Sequence, residues 1–171
     1  MIKVVSVFGT GTAKPGDKNY TLAEQLGRML AEAGFAIANG GYGGTMEATA
    51  KGAKQAGGEV IGVTCSAFGR GSANKFVSRE IMRTSLNERL DTLVNIGDAY
   101  VVLPGGTGTL LELAMVWELK NKGLLSGDKP IILLGECWGQ LVELIANEDP
   151  ESRSHLLLAD GPKEVVGLLR S

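Results

Sequence analysis

The chain has 171 residues, of which 44% are hydrophobic and 21% charged, and its formal net charge is −2. This near-neutral balance gives no electrostatic reason to expect a nucleic acid or an anionic membrane as a partner. Its two cysteines, Cys65 and Cys137, are too few for a disulfide scaffold and lack a metal-binding spacing. The length suits one domain with a sizeable core, so we expect a single domain over residues 1–171.

The start of the chain and its apolar runs bear on its location. The first predicted strand begins at Ile2, which leaves no room for a signal peptide. No apolar run approaches the ~20 residues that a membrane-spanning helix needs. We therefore expect a cytoplasmic protein. We expect no metal ion, because no cluster of ligating residues is visible, and we expect no cofactor.

Short apolar strands alternate with helices along the whole chain. Strands are predicted at residues 2–8, 35–38, 60–64, 76–82, 99–103, 131–134 and 156–158. Helices are predicted at residues 20–33 (capped by Asn19 or Thr21), 45–55, 86–96 (capped by Thr84 and Ser85), 109–119, 138–146 and 163–170, with a polar loop at 147–154. This alternation predicts βαβ units and hence an α/β fold of three layers, a parallel sheet with helices on both faces.

Three glycine-rich loops each follow a predicted strand. In a parallel sheet the carboxyl ends of the strands share one edge, where ligands usually bind, so we expect the loops to meet there. The candidate phosphate- or nucleotide-binding residues in these loops are Gly9, Thr10, Gly40, Gly41, Gly43, Gly44, Gly105, Gly106, Thr107, Gly108 and Thr109.

The third loop has the features of an anion site. The buried strand 99–103 is stopped by Pro104, and the glycines of the stretch 105–108 allow a tight turn and a close approach to a ligand. Thr107 or Thr109 is the predicted cap of the following helix. Free N–H groups and the positive end of the helix dipole then meet at one point. The alternative is a tight strand–helix turn without a ligand.

Two charged residues near this loop are candidates for chemistry. Glu112 lies three residues after Thr109, on the same helical face, and helical side chains lean toward the N-terminus. Its carboxylate could bind a sugar hydroxyl or stabilise a developing cation. The alternative is a carboxylate whose only role is its favourable interaction with the positive end of the helix dipole. Arg89 lies at the margin of the apolar stripe of its helix, so its guanidinium must either find a partner or extend into solvent.

Two common phosphate motifs are absent. Residues 11–18 resemble a P-loop, but Asp17 stands where its lysine belongs. Gly9-Thr10-Gly11 begins like a dinucleotide fingerprint, but the third glycine is missing and no acidic residue closes the strand 35–38. An NAD-dependent oxidoreductase therefore has little support.

The stretch from Pro104 to Glu112, PGGTGTLLE, resembles the PGGxGTxxE signature of the LOG ("lonely guy") family. The second loop, GGYGGTMEA at residues 40–48, is similar to that family's GGGxxGLMG segment, and the resemblance runs from about residue 2 to about residue 146. It implies a Rossmann-like fold, a homodimer and a phosphoribohydrolase. Such an enzyme hydrolyses the N-glycosidic bond of a nucleoside 5′-monophosphate to a free base and ribose 5-phosphate.

The resemblance also implies the catalytic pair, which would be Glu112 and the arginine of an MHxRK segment, here Arg89. The neighbours of this arginine depart from the pattern, since Leu86, Asn87 and Leu90 stand where the family has Met, His and Lys. Cytokinin riboside 5′-monophosphate and AMP are the candidate substrates. The alternative is a non-catalytic nucleotide-binding or molybdenum-cofactor carrier protein on the same fold.

The helix at residues 109–119 is apolar on nearly all sides between Leu110 and Trp117. One face must cover the sheet, and the other would be exposed in a monomer. Large exposed apolar surfaces usually mark interfaces, so we expect a symmetric homodimer through this helix.

Overall fold

The computed structural model describes residues 3–171, which contain one seven-stranded parallel sheet with the strand order β4-β3-β2-β1-β5-β6-β7. The strands are β1 Val4–Phe8, β2 Ala36–Asn39, β3 Val60–Cys65, β4 Arg79–Arg83, β5 Ala99–Val102, β6 Ile131–Leu134 and β7 Leu156–Ala159. The helices are α1 Lys18–Glu32, α2 Thr45–Gln55, α3 Leu86–Ile96, α4 Thr107–Asn121, α5 Gly139–Glu148 and α6 Pro162–Arg170. The predicted α/β, Rossmann-like fold is confirmed.

Each face of the sheet is covered by three helices. Helices α1, α2 and α6 pack on one face, and α3, α4 and α5 pack on the other. In β5, Val101 belongs to the first apolar cluster and Tyr100 and Val102 belong to the second. This two-sided burial explains why the central strands are continuous apolar runs rather than alternating ones.

The strand order places a crevice at the centre of the sheet. From β1 the chain moves outward through β2 and β3 to β4, then returns so that β5 pairs with β1 on the opposite side. The connections leaving β1 and β5 therefore diverge, and they open a gap at the carboxyl ends of these two strands. Ligands of open α/β sheets bind at this kind of switch point.

Several element boundaries differ from the predictions. Helix α1 begins at Lys18, and Asp17 is its N-cap residue in place of Asn19 or Thr21. The Asp17 carboxylate accepts a hydrogen bond from Lys14 N at 2.7 Å, and so closes the preceding turn instead of capping the helix. The predicted start of β1 at Ile2 lies outside the described residues.

A second hydrogen bond closes the same turn, because the Asp17 N–H donates to Lys14 O at 2.9 Å.

Near the other end of the chain, the predicted loop at 147–154 contains a 3₁₀ helix, Pro150–His155. Trp117 Nε1 of α4 donates to Ser152 O at 2.9 Å, a long-range contact that local sequence patterns do not reveal. The strand predicted at residues 76–82 is found at Arg79–Arg83, where it forms the edge strand β4.

Within residues 3–171, no helix is both long and apolar enough to cross a membrane.

Candidate active site

A cavity of about 440 Å³ opens at the carboxyl ends of β1 and β5. Its walls come from the loop after β1, the first turn of α4, one face of α3 and the segment after β3. Of the predicted loop residues, the structure brings six to this cavity, namely Gly9, Thr10, Gly106, Thr107, Gly108 and Thr109. The predicted residues Gly40, Gly41, Gly43, Gly44 and Gly105 do not line it.

The first turn of α4 presents an open backbone surface. The N-cap residue is Gly106, without a side-chain cap, so the prediction that Thr107 or Thr109 caps this helix is wrong. Thr109 is buried against Gly105 instead, where an added Cβ would lie 2.1 Å from Thr109 Oγ1. At Gly106 and Gly108 an added Cβ would meet no atom within 4 Å. The N–H groups of this turn have no partner within the helix, and nothing beside these glycines blocks an approaching anion.

The second glycine loop supports the first loop. Thr45, the first residue of α2, donates from both its N–H and its hydroxyl to Thr10 O, at 2.8 and 3.0 Å. A Cβ on Gly44 would lie 2.3 Å from the same oxygen. The start of α2 is therefore occupied by protein, whereas the start of α4 faces the cavity.

Arg89 and Glu112 meet inside the cavity wall. Arg89 lies on α3 and Glu112 on α4, and their exposed fractions are 6% and 8%. Arg89 Nε donates to Val63 O at 2.8 Å, and Arg89 Nη1 lies 3.5 Å from Glu112 Oε1. Of the two predicted alternatives for Arg89, the structure shows the one in which the guanidinium reaches a partner.

Burial controls the ionisation of Glu112. Loss of water around the carboxyl raises its pKa from 4.5 to about 7, although the charge and the hydrogen bond of Arg89 act in the opposite direction. The 3.5 Å separation is long for a charge-assisted hydrogen bond, so the pair leaves both groups free to engage a third. A carboxyl that changes charge near neutral pH can accept or release a proton during a reaction.

Gly40 provides the space that Arg89 occupies. It follows β2, and an added Cβ would lie 1.8 Å from Arg89 Nη2 and 2.6 Å from Met46 Sδ. The residue lies behind the guanidinium rather than at the cavity surface. Its lack of a side chain therefore positions Arg89.

Sequence reasoning missed the wall formed after β3. Ser66–Phe68 is a 3₁₀ helix, and Phe68, Arg70 and Tyr42 all line the cavity. The Tyr42 hydroxyl accepts from Cys65 N at 2.8 Å and donates to Cys65 O at 3.0 Å, which fixes this ring at the end of β3. The segment has no hydrophobic periodicity, and the available signal was an aromatic residue and an arginine between glycines directly after a buried strand.

The part of the chain that the structure describes contains no group of three or more His, Cys, Asp or Glu side chains arranged to hold a metal ion.

Known proteins resemble this chain over most of its length. A cytokinin riboside 5′-monophosphate phosphoribohydrolase from Mycobacterium tuberculosis is 33% identical, over 85% of this chain and 82% of the relative. An enzyme of the same name from Rhodococcoides fascians is 28% identical, over 99% of this chain and 90% of the relative. Among solved structures, the molybdenum cofactor binding protein of Rippkaea orientalis superposes with a TM-score of 0.80 at 29% identity, covering 99% and 96% of the two chains.

The sequence model of the SLOG cluster4 family matches residues 2–166, which is nearly the whole chain. The match includes the three glycine loops, the Arg89–Glu112 pair and all seven strands described above. The chain therefore belongs to the SLOG cluster4 family, and the resemblance to the LOG family is confirmed.

Proposed function

We propose that this protein hydrolyses the N-glycosidic bond of a nucleoside 5′-monophosphate, giving a free base and ribose 5-phosphate. The observation that carries the proposal is the buried Arg89–Glu112 pair, which shares one cavity with the open first turn of α4. The names of the M. tuberculosis and R. fascians relatives support the same activity.

The first turn of α4 is the proposed phosphate site. Its unpaired N–H groups and the positive end of the helix dipole attract an anion. Gly106 and Gly108 leave the space that a phosphate needs, and Thr10 and Thr12 of the first loop line the same cavity.

Glu112 lies one helical turn beyond this site, where the ribose of a bound 5′-nucleotide would lie. Cleavage of an N-glycosidic bond passes through an oxocarbenium-like sugar, and an ionised carboxylate stabilises that positive charge. The same group can accept a proton from the attacking water, because its pKa of about 7 suits a general base near neutral pH. The water oxygen then bonds to C1′ as the C1′–N bond breaks.

Arg89 is suited to the leaving base. As the C1′–N bond breaks, its electron pair moves onto the base nitrogen, and a guanidinium nearby stabilises the negative charge that develops. The hydrogen bond from Arg89 Nε to Val63 O holds the side chain in place, while Nη1 reaches toward Glu112.

The departures from the LOG pattern around Arg89 differ in their consequences. Asn87 is exposed and does not line the cavity, so its identity has little bearing on the chemistry. Leu86 and Leu90 do line the cavity and make the wall beside Arg89 apolar. These two residues are expected to affect which base is accepted more than whether the bond is cleaved.

A second candidate function is the binding of a nucleotide-like cofactor without hydrolysis. The similarity to the R. orientalis molybdenum cofactor binding protein favours it. Both candidates use a phosphate site at α4, and they differ in whether the Arg89–Glu112 pair promotes turnover.

A product assay separates the two candidates. The protein would be incubated with AMP and with N6-isopentenyl AMP, and free base and ribose 5-phosphate would be measured by chromatography. We expect release of base by the natural protein and a loss of about 100-fold or more in Glu112→Gln, because the charge that stabilises the sugar cation is removed. Glu148→Gln is the matched control, since Glu148 is exposed at the end of α5. Thermal stabilisation by a nucleotide without any release of base would instead support the binding protein.

We also propose a homodimer through α4. Leu110 and Leu111 at the start of this helix are 39% and 42% exposed. An apolar groove of about 230 Å³ lies between α4 and α5, and its walls include Leu110, Trp117 and Ile145. A second copy of the same surface, related by a two-fold axis, would cover these side chains.

A further inference from the structure

We infer that Phe68 and Arg70 form a wall of the cavity that holds a planar heteroaromatic base by stacking. This inference rests on the proposed function, because it concerns the base of the nucleotide in the same cavity. Neither residue is part of the LOG signature or of the Arg89–Glu112 pair.

The order of the groups along the cavity places the base beside Phe68. The phosphate site at α4 is followed by Glu112, and Arg89 Nη1 lies 3.5 Å from the Glu112 carboxylate. Arg89 Cζ in turn lies 5.6 Å from the centroid of the Phe68 ring. The sequence of groups is thus anion site, carboxylate, guanidinium and aromatic ring. A 5′-nucleotide presents phosphate, ribose, glycosidic nitrogen and base in the same order.

Phe68 offers the chemistry that a base requires. Its side chain is 38% exposed and lines the cavity, and two arginine guanidiniums lie within 6 Å of its ring centroid. An aromatic face stacks on any nucleobase and so binds it with little dependence on its hydrogen-bonding edge. The neighbouring side chains of Leu86 and Leu90 are apolar, which also suits a flat ring.

Arg70 extends the same wall. Its Cζ lies 5.8 Å from the centroid of Phe68 and 5.6 Å from that of Tyr42. Across residues 3–171, no carboxylate forms a salt bridge with Arg70. A guanidinium close to aromatic rings and without an acidic partner can stack on a base through its own planar face.

The wall is anchored at both ends. On the N-terminal side of Phe68, the Tyr42 hydroxyl accepts a hydrogen bond from Cys65 N and donates one to Cys65 O. On the C-terminal side of Arg70, Asn74 Nδ2 donates to Gly41 O and Tyr42 O, at 3.0 and 2.9 Å. Between these anchors, Gly69 and Gly71 flank Arg70 with φ angles of 62° and 74°. The glycines allow the tight turn that returns Arg70 onto the two rings.

Kinetics with AMP and inhibition by ribose 5-phosphate test the wall. Ribose 5-phosphate has the phosphate and the sugar but no base. We expect Phe68→Leu to raise KM for AMP about tenfold, the effect of one lost base stack, while the inhibition constant of ribose 5-phosphate stays unchanged. Phe68→Tyr should keep the natural KM because the ring remains. Arg70→Gln should raise KM in the same selective way, with Arg28→Gln, exposed on α1, as its matched control.

The outcomes separate this inference from the proposed function. Hydrolysis of AMP with an unchanged KM in Phe68→Leu would overturn the wall and leave the function standing. An equal rise in the KM of AMP and the inhibition constant of ribose 5-phosphate would also overturn it, because the variant would then have damaged the whole cavity. If the natural protein binds AMP without hydrolysis, calorimetric affinities replace KM. A selective tenfold loss in Phe68→Leu would then support the wall while the hydrolase function fails.

Discussion

Replacing Gly40 by alanine is expected to disable the site without removing any group that touches the substrate. The added Cβ would lie 1.8 Å from Arg89 Nη2 and 2.6 Å from Met46 Sδ. Non-bonded heavy atoms are comfortable at about 3.5–4.0 Å, so the guanidinium would have to move by roughly 1.5–2 Å. The backbone of Gly40 itself is not in the left-handed region, so the effect is one of space alone.

The size of the effect follows from the contacts of Arg89. Its Nε is bonded to Val63 O, and a shift away from Gly40 must break this bond or move Nη1 relative to Glu112. A displacement of about 1 Å in a catalytic constellation can reduce the rate about 100-fold, which corresponds to about 2.7 kcal/mol. The free energy of unfolding should fall by about 1–3 kcal/mol, as is usual for overpacking.

The assay is kcat/KM for AMP, with urea unfolding to establish that Gly40→Ala is folded. Gly167→Ala is the matched control, because Gly167 lies in α6 and an added Cβ there meets no atom within 4 Å. This control should keep its activity. A folded Gly40→Ala variant with the natural kcat/KM would refute the argument that Gly40 positions Arg89.

Three further predictions follow from the same contacts. Because burial raises the pKa of Glu112 to about 7, the carboxyl is neutral below that pH and ionised above it, so kcat/KM for AMP should rise with pH through this range; a flat profile from pH 5 to 8 would argue against an ionised Glu112 in catalysis. Ile145→Asp, in the groove between α4 and α5, should convert a micromolar dimer to a monomer in gel filtration, and a natural protein that is already monomeric would disprove the proposed interface. Tyr42→Phe should lower the free energy of unfolding by about 1–3 kcal/mol in urea denaturation, because the buried Cys65 N–H loses its partner; an unchanged midpoint would contradict this.

The central part of the site could be read largely from local sequence. Pro104 ends the apolar run of β5, and the glycines that follow open the first turn of α4, because both residue types act on the backbone at their own positions. The spacing of Thr109 and Glu112 placed both on one helical face, and both are buried. The cap was predicted wrongly because the helix begins at Thr107, so that Gly106 is the N-cap residue and Thr109 lies inside the first turn, packed against Gly105.

Local sequence patterns were enough to establish the alternation of strands and helices, the α/β class and the glycine loop beside Glu112, because periodicity and turn chemistry depend on residues close together in the chain. Three features depend on the packing of distant segments: Arg89 meets Glu112, Gly40 makes room for this guanidinium, and Phe68 and Arg70 line the cavity. These contacts join segments separated by up to about 50 residues in the chain. They exist only because the parallel order of β3, β2, β1 and β5 brings the ends of those strands to one edge of the sheet.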